Sequence, residues 1–222
     1  MGISLFIGRY PKPVFTPPRL LWEDDLAHAL IMNIRLPRLI AAALLGASLA
    51  ISGYIFQMAF SNPLADGGIL GVNQAAGFGA ALAIISTGYT FIHIQISSLF
   101  FGILSIFLVL LLSRVIKTDS PIINQVFAGI AISAVFSSGL GILKYTADPL
   151  QELPNIVFWL LGDLSSITWE RILPVIPQIV IGITILWALR WRVNALALDE
   201  NVAFSLGAGA KKETYLILFV AV

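Results

Sequence analysis

Residues 67–113 contain no Asp, Glu, Lys or Arg. The run is about twice the ~20 apolar residues that carry a helix across a hydrocarbon core about 30 Å thick. Thr87, Gly88, Tyr89 and His93 lie near its middle and predict a hairpin of two spans. Residues 39–65, 121–143 and 172–189 are also uncharged and predict three more. A sixth span is expected to start at about Thr214. An unpaired backbone group in lipid costs several kcal/mol, and ten-residue alternating strands are absent, so helices are the spanning structure. The expected fold is an all-α, polytopic transmembrane helical bundle with about five complete spans and the start of a sixth.

Composition agrees. Of 222 residues, 58% are hydrophobic and 11% charged, against about 25% charged in soluble domains. A formal net charge of +1 gives no electrostatic basis for a nucleic-acid partner. The absence of cysteine removes disulfides, thiolate metal sites and cysteine nucleophiles. Residues 3–7 are too short for the apolar region of a signal peptide, so no cleaved leader is expected.

Small residues recur every fourth position on three spans: Ala42, Gly46, Ala50; Gly67, Gly71, Ala75, Gly79, Ala83; and Gly129, Ser133, Ser137, Gly141. Such ridges let helices pack closely in lipid, and the last of them could also line a translocation path. With the first span running inward, Arg114, Lys117, Arg190, Arg192, Lys211 and Lys212 fall on the cytoplasmic side, as the positive-inside bias favours. Arg9, Lys12, Arg19, Arg35 and Arg38 run against it, so charge counting alone nearly ties.

Some chemistry is missing. No Gly-rich loop ends in Gly-Lys-Ser or Gly-Lys-Thr, so nucleotide phosphates have no usual cradle and energy must come from a partner. His28 and His93 lie far apart, without a second ligand at metal spacing. No catalytic residue, metal site or cofactor is predicted. A secondary transporter would place an ionisable residue at the membrane midplane, and these spans hold none. An intramembrane hydrolase would need a Ser-His or metal constellation that neither histidine supplies.

Four pieces of sequence break the orientation tie. Arg35-Leu36-Pro37-Arg38-Leu39 leads into a Gly/Ala-rich span. Phe60-Ser61-Asn62-Pro63-Leu64-Ala65-Asp66 and Ile69-Leu70-Gly71-Val72 follow it. Phe158-Trp159-Leu160-Leu161-Gly162 with Trp169 comes later, and Asn194-Ala195-Leu196-Ala197-Leu198 reaches Ser205-Leu206-Gly207. In this order and spacing the chain resembles the FecCD-type, BtuC-like permeases of ABC importers for siderophore iron, haem, cobalamin and, in some members, oxyanions. The resemblance covers about two-thirds of such a permease, from the loop after its first span to the start of its seventh.

It implies a single, incomplete transmembrane permease domain over residues 1–222 in the cytoplasmic membrane of a prokaryote. Its expected partners are a second permease copy, two cytoplasmic ABC ATPases, an extracytoplasmic substrate-binding protein and membrane lipid. Residues 1–34 are then extracytoplasmic. Arg35 and Arg38 would dock acidic residues of the binding protein, a task suited to arginine's planar, permanently charged fork; snorkelling into the interface is the alternative. Pro37 fits the first turn of a helix, so the motif also reads as a helix start.

Asn62, Pro63, Leu64 and Asp66 resemble the cytoplasmic gate, with Gly67 standing where many relatives carry proline; a plain helix connection is the alternative. Residues 190–212 resemble the segment that docks on the ATPase, through Asn194, Ala195, Leu196, Ala197, Leu198, Glu200, Ala203, Leu206 and Gly207. Its apolar face suits a groove or a lipid surface. Residues 154–161 read as a short helix at the outer interface, with Trp159 and Trp169 at headgroup depth.

Overall fold

A computed structural model of the chain describes residues 2–8, 10, 14–60, 62–63, 65–116, 118, 121–195 and 211–221. The chain divides into two compact units, residues 1–49 with 163–181 and residues 50–162 with 182–222.

The first unit opens with a 3₁₀ turn (Gly2–Leu5) and two short antiparallel strands, β1 (Ile7–Gly8) and β2 (Val14–Phe15), in which Ile7 pairs with Phe15. Helices α1 (Leu20–Glu23) and α2 (Asp25–Leu30) follow. Asp24 sits between them in extended conformation and accepts from the backbone N–H groups of Leu26 and Ala27. A side-chain oxygen at this position satisfies donors that the first turn leaves orphaned. Later in the chain the unit adds a short helix at Trp169–Ile172.

Pro37 does not start a helix. Helix α3 (Leu36–Ala59) continues without a break from α2 through a π-turn at Ile31–Arg35, giving 35 helical residues over Asp25–Ala59. Proline brings no N–H, and its ring crowds the carbonyl four residues back. The chain answers by widening the preceding turn, so that the Leu36 N–H bonds the Ile31 carbonyl, five residues back instead of four.

In the second unit, a 3₁₀ turn (Gly67–Leu70) leads into α4 (Val72–Thr87), then α5 (Phe91–Leu112), α6 (Pro121–Thr146) and α7 (Glu152–Leu161). The expected hairpin break falls at Gly88, whose φ of 72° suits glycine best. Two cores form. Ile55, Phe56, Phe60, Leu70, Ile106 and Val109 pack with Leu186, Val193, Ile217 and Leu218. Ala80, Ala81, Ala83, Ile84 and Ile94 pack with Ala147 and Ile156. Phe78, Phe101 and Phe136 add a ring cluster with centroids 5.1 to 6.1 Å apart, a spacing at which tilted aromatic pairs attract.

Residues 172–189 do not form one helix. The stretch divides into α8 (Trp169–Ile172) and α9 (Ile176–Ala188). Pro174 interrupts between them, while Pro177 falls in the first turn of α9, where a missing N–H is harmless. Helix α10 (Arg190–Ala195) follows, and α11 (Lys211–Val220) begins three residues before the expected Thr214.

Among the described residues three helices are long and apolar enough to cross a membrane: Asp25–Ala59, Phe91–Leu112 and Ile122–Thr146. At 1.5 Å per residue, the 16 residues of α4 and 13 of α9 reach only about 24 and 20 Å. Outward faces are oily: Ile92, Ile96, Phe100, Ile103 and Phe107 on α5 are each 38 to 60% exposed. They recur every three or four residues along one side of the helix, a stripe that lipid accommodates and water does not.

Candidate docking, gate and coupling sites

Arg35 and Arg38 both have partners within the chain. The Arg35 Nη1 donates to the Leu5 carbonyl at 3.0 Å and to the Thr16 Oγ1 at 3.2 Å. Arg38 Nη2 donates to the Ser165 carbonyl, and its Nε is buried without an acceptor among the described residues. Both guanidinium groups are thus oriented by other segments of the same unit. Sequence patterns gave no sign of these partners, because neither Thr16 nor Ser165 belongs to a recognisable motif.

The Ser165 loop is built on Asp163, whose carboxylate accepts from the Ser165 N–H at 2.7 Å and from its hydroxyl. Close by, the Trp169 indole N–H donates to the Met32 carbonyl at 2.8 Å. The Ser165 hydroxyl and N–H hold the Asp163 carboxyl below the usual carboxylate range, with smaller pulls from the Ser166 N–H and the Arg38 charge.

A carboxyl held low in the fold contributes stability that is complete above its unfolded value, about 3.9, and is lost as pH falls through the folded one. The protection factor of the Ser165 amide, its exchange rate relative to a free amide at the same pH, should therefore be constant above about pH 4 and fall below it. Asp163→Asn should erase that pH dependence; if the variant kept it, Asp163 would not be its source.

Of the gate candidates, Asn62, Pro63 and Asp66 lie among the described residues. The Asn62 N–H bonds the Gln57 carbonyl at 3.1 Å, and the Ala65 N–H bonds the Asn62 carbonyl at 3.0 Å. Asp66 caps the following 3₁₀ turn by accepting from the Gly68 N–H at 2.9 Å. Asn62, Pro63 and Asp66 are exposed, whereas Ala65 is buried. Leu64 lies outside the described residues.

The small-residue ridge of α6 splits in two. Gly129 is buried, and a Cβ there would overlap the Ile69 carbonyl oxygen. Ser133 lies over Gly71, whose φ is 69°. Beside it the buried Ser105 hydroxyl, which would also meet a Cβ at Gly71, donates to the Leu70 carbonyl at 2.6 Å. Ser137 and Gly141 are exposed, and nothing would meet a Cβ at Gly141 within 4 Å. One half of the ridge packs; the other half is open surface.

Of the coupling candidates, Asn194 and Ala195 end α10, and the Asn194 Oδ1 accepts from the Tyr54 hydroxyl at 3.5 Å. Val193 is buried in the larger core. Leu196, Ala197, Leu198, Glu200, Ala203, Leu206 and Gly207 lie outside the described residues. The short helix expected over residues 154–161 is present as α7, with Pro154 in its first turn and Ile156 buried in the smaller core. Among the described residues no three His, Asp or Glu side chains gather as a metal site.

The profile of the FecCD transport family matches residues 1–222. The chain is 34% identical over 226 residues to the molybdate import system permease protein MolB of Haemophilus influenzae, covering 99% of this chain and 66% of that one. It is 32% identical over 212 residues to the hemin transport system permease protein HmuU of Yersinia pestis, covering 91% and 62%. A solved ABC transporter in an inward-facing conformation, assigned to the metal-chelate type, superposes with a TM-score of 0.85 at 35% identity, over 99% of this chain and 67% of that one. The chain therefore spans about two-thirds or less of the length of the curated relatives it matches. With profile, sequence and fold agreeing along its whole extent, the chain belongs to the FecCD transport family, a family of ABC-importer permeases.

Proposed function

We propose that this chain is the membrane-spanning permease of an ATP-driven importer that carries an iron chelate (siderophore or haem) or cobalamin across the cytoplasmic membrane of a prokaryote. The observation that carries the reading is the agreement in fold with an inward-facing transporter over nearly the whole chain. On this reading a second copy completes the path, and two cytoplasmic ATPases act on residues 190–212. An extracytoplasmic binding protein docks on Arg35 and Arg38 and delivers the cargo.

Asn62, Pro63, Leu64 and Asp66 narrow the cytoplasmic end, and a turn fixed by backbone bonds and a capping carboxylate suits a constriction that must close reproducibly. Ser137 and Gly141, left open on α6, suit a path wall. Gly129 and Ser133 serve packing. ATP binding and hydrolysis on the partner move the coupling segment, which rocks the spans between outward- and inward-open states.

The name of the Haemophilus influenzae relative favours molybdate as a second cargo. The test is uptake into proteoliposomes holding the permease, its ATPase and its binding protein, offered ferric siderophore, haemin, cobalamin and molybdate in turn. ATP-dependent uptake of one of the first three is expected. Molybdate uptake would select the second cargo, and uptake driven by an ion gradient without ATP would overturn the reading.

A further inference from the structure

The extracytoplasmic segment carries a chain of hydrogen bonds that ends on Arg35. Thr16 is 1% exposed, so its hydroxyl must be satisfied inside the protein. It donates to the Tyr10 carbonyl at 2.5 Å and accepts from Arg35 Nη1 at 3.2 Å. The Thr16 N–H bonds the Phe6 carbonyl at 2.7 Å, which holds the hydroxyl in place. At the far end the Tyr10 hydroxyl donates to Asp24 at 2.8 Å, and Asp24 caps α2. That bond pushes the Tyr10 phenol up and draws the Asp24 carboxyl down.

Gly8 completes the setting. A Cβ at this position would fall on the Arg35 guanidinium. Gly8 is not among the glycines with positive φ, so here glycine supplies space alone.

A guanidinium has two edges that can hold a carboxylate with parallel bonds, Nη1 with Nη2 and Nε with Nη2. The two hydrogens of Nη1 are engaged by Leu5 and Thr16. Among the described residues nothing accepts from Nε or Nη2. We infer that Thr16 is a positioning residue for Arg35: with Gly8 leaving room, it fixes which guanidinium edge is presented to an acidic side chain of the docking partner. The inference rests on the proposed docking role of Arg35.

The experiment measures the dissociation constant between the permease in lipid nanodiscs and the binding protein that co-purifies with it, at low and high NaCl. Thr16→Val removes the hydroxyl at nearly constant volume, and Gly8→Ala displaces the guanidinium while keeping every donor and acceptor. Each should weaken binding about tenfold at low salt and flatten the salt dependence. Thr16→Ser should restore wild-type affinity. In an Arg35→Gln background Thr16→Val should add nothing, because the group it positions is gone.

Wild-type affinity in both Thr16→Val and Gly8→Ala overturns the inference. So does a Thr16→Val loss that persists undiminished in the Arg35→Gln background. Unchanged affinity in Arg35→Gln alone instead removes the docking reading itself.

Discussion

Gly129→Val should leave little folded protein, whereas Gly141→Ala, on the same ridge of α6, should be neutral or mildly stabilising. At Gly129 the obstacle is backbone: the Ile69 carbonyl oxygen lies where a Cβ would go, with the Leu70 Cα next to it. A side chain could swing aside, but this turn is held by the Ser105 bond to the Leu70 carbonyl and by the left-handed Gly71 that follows. Overpacking against such a wall costs about 3 kcal/mol or more, a large share of the roughly 5–15 kcal/mol that keeps a domain folded.

Gly141 meets nothing within 4 Å, and alanine gains up to about 1 kcal/mol of helix propensity over glycine. Thermal unfolding and the monodisperse fraction in detergent would separate the two variants. Equal behaviour would show that α6 does not approach the turn this closely.

Reversing both arginines, Arg35→Glu with Arg38→Glu, should weaken capture of the binding protein about a hundredfold or more. Two attractive pairs become two repulsive ones, so affinity should also rise with added salt instead of falling. If these arginines only anchor the chain in the headgroup layer, affinity and its salt dependence will not change, and the docking role is then wrong. Both guanidinium groups are already aimed by bonds to Leu5, Thr16 and Ser165. Lysine in their place would keep the charge but lose the fork.

Much of the helical frame was legible because lipid imposes one simple rule on composition. The uncharged run over residues 67–113 became two helices with a break at Gly88, within the predicted interval. The run over residues 121–143 became α6 with little change. Prolines misled. Pro37 fits both a helix start and a widened turn, and only the fit of α2 onto α3 decides between them. Pro174 carries no charge to interrupt the run over residues 172–189, yet it removes a donor that a single helix needs.

The ridge spacing on α6 identified a face but could not say what lies across from it. Gly129 and Gly141 read alike, yet one touches backbone and the other touches nothing. Thr16 carried no signal at all: its burial comes from the folding of residues 5–35, in which no motif announces a hydroxyl aimed at an arginine.

The wide turn at Ile31–Arg35 also determines where this helix can change length. A π-turn holds one residue more than the α-turn it replaces. Deleting one residue between Ile31 and Arg35 would keep the faces before and after in phase, with a kink where the narrower turn meets the Pro37 ring. The same deletion farther along α3 would rotate everything beyond it by about 100°, carrying Ile55 and Phe56 out of the core they fill.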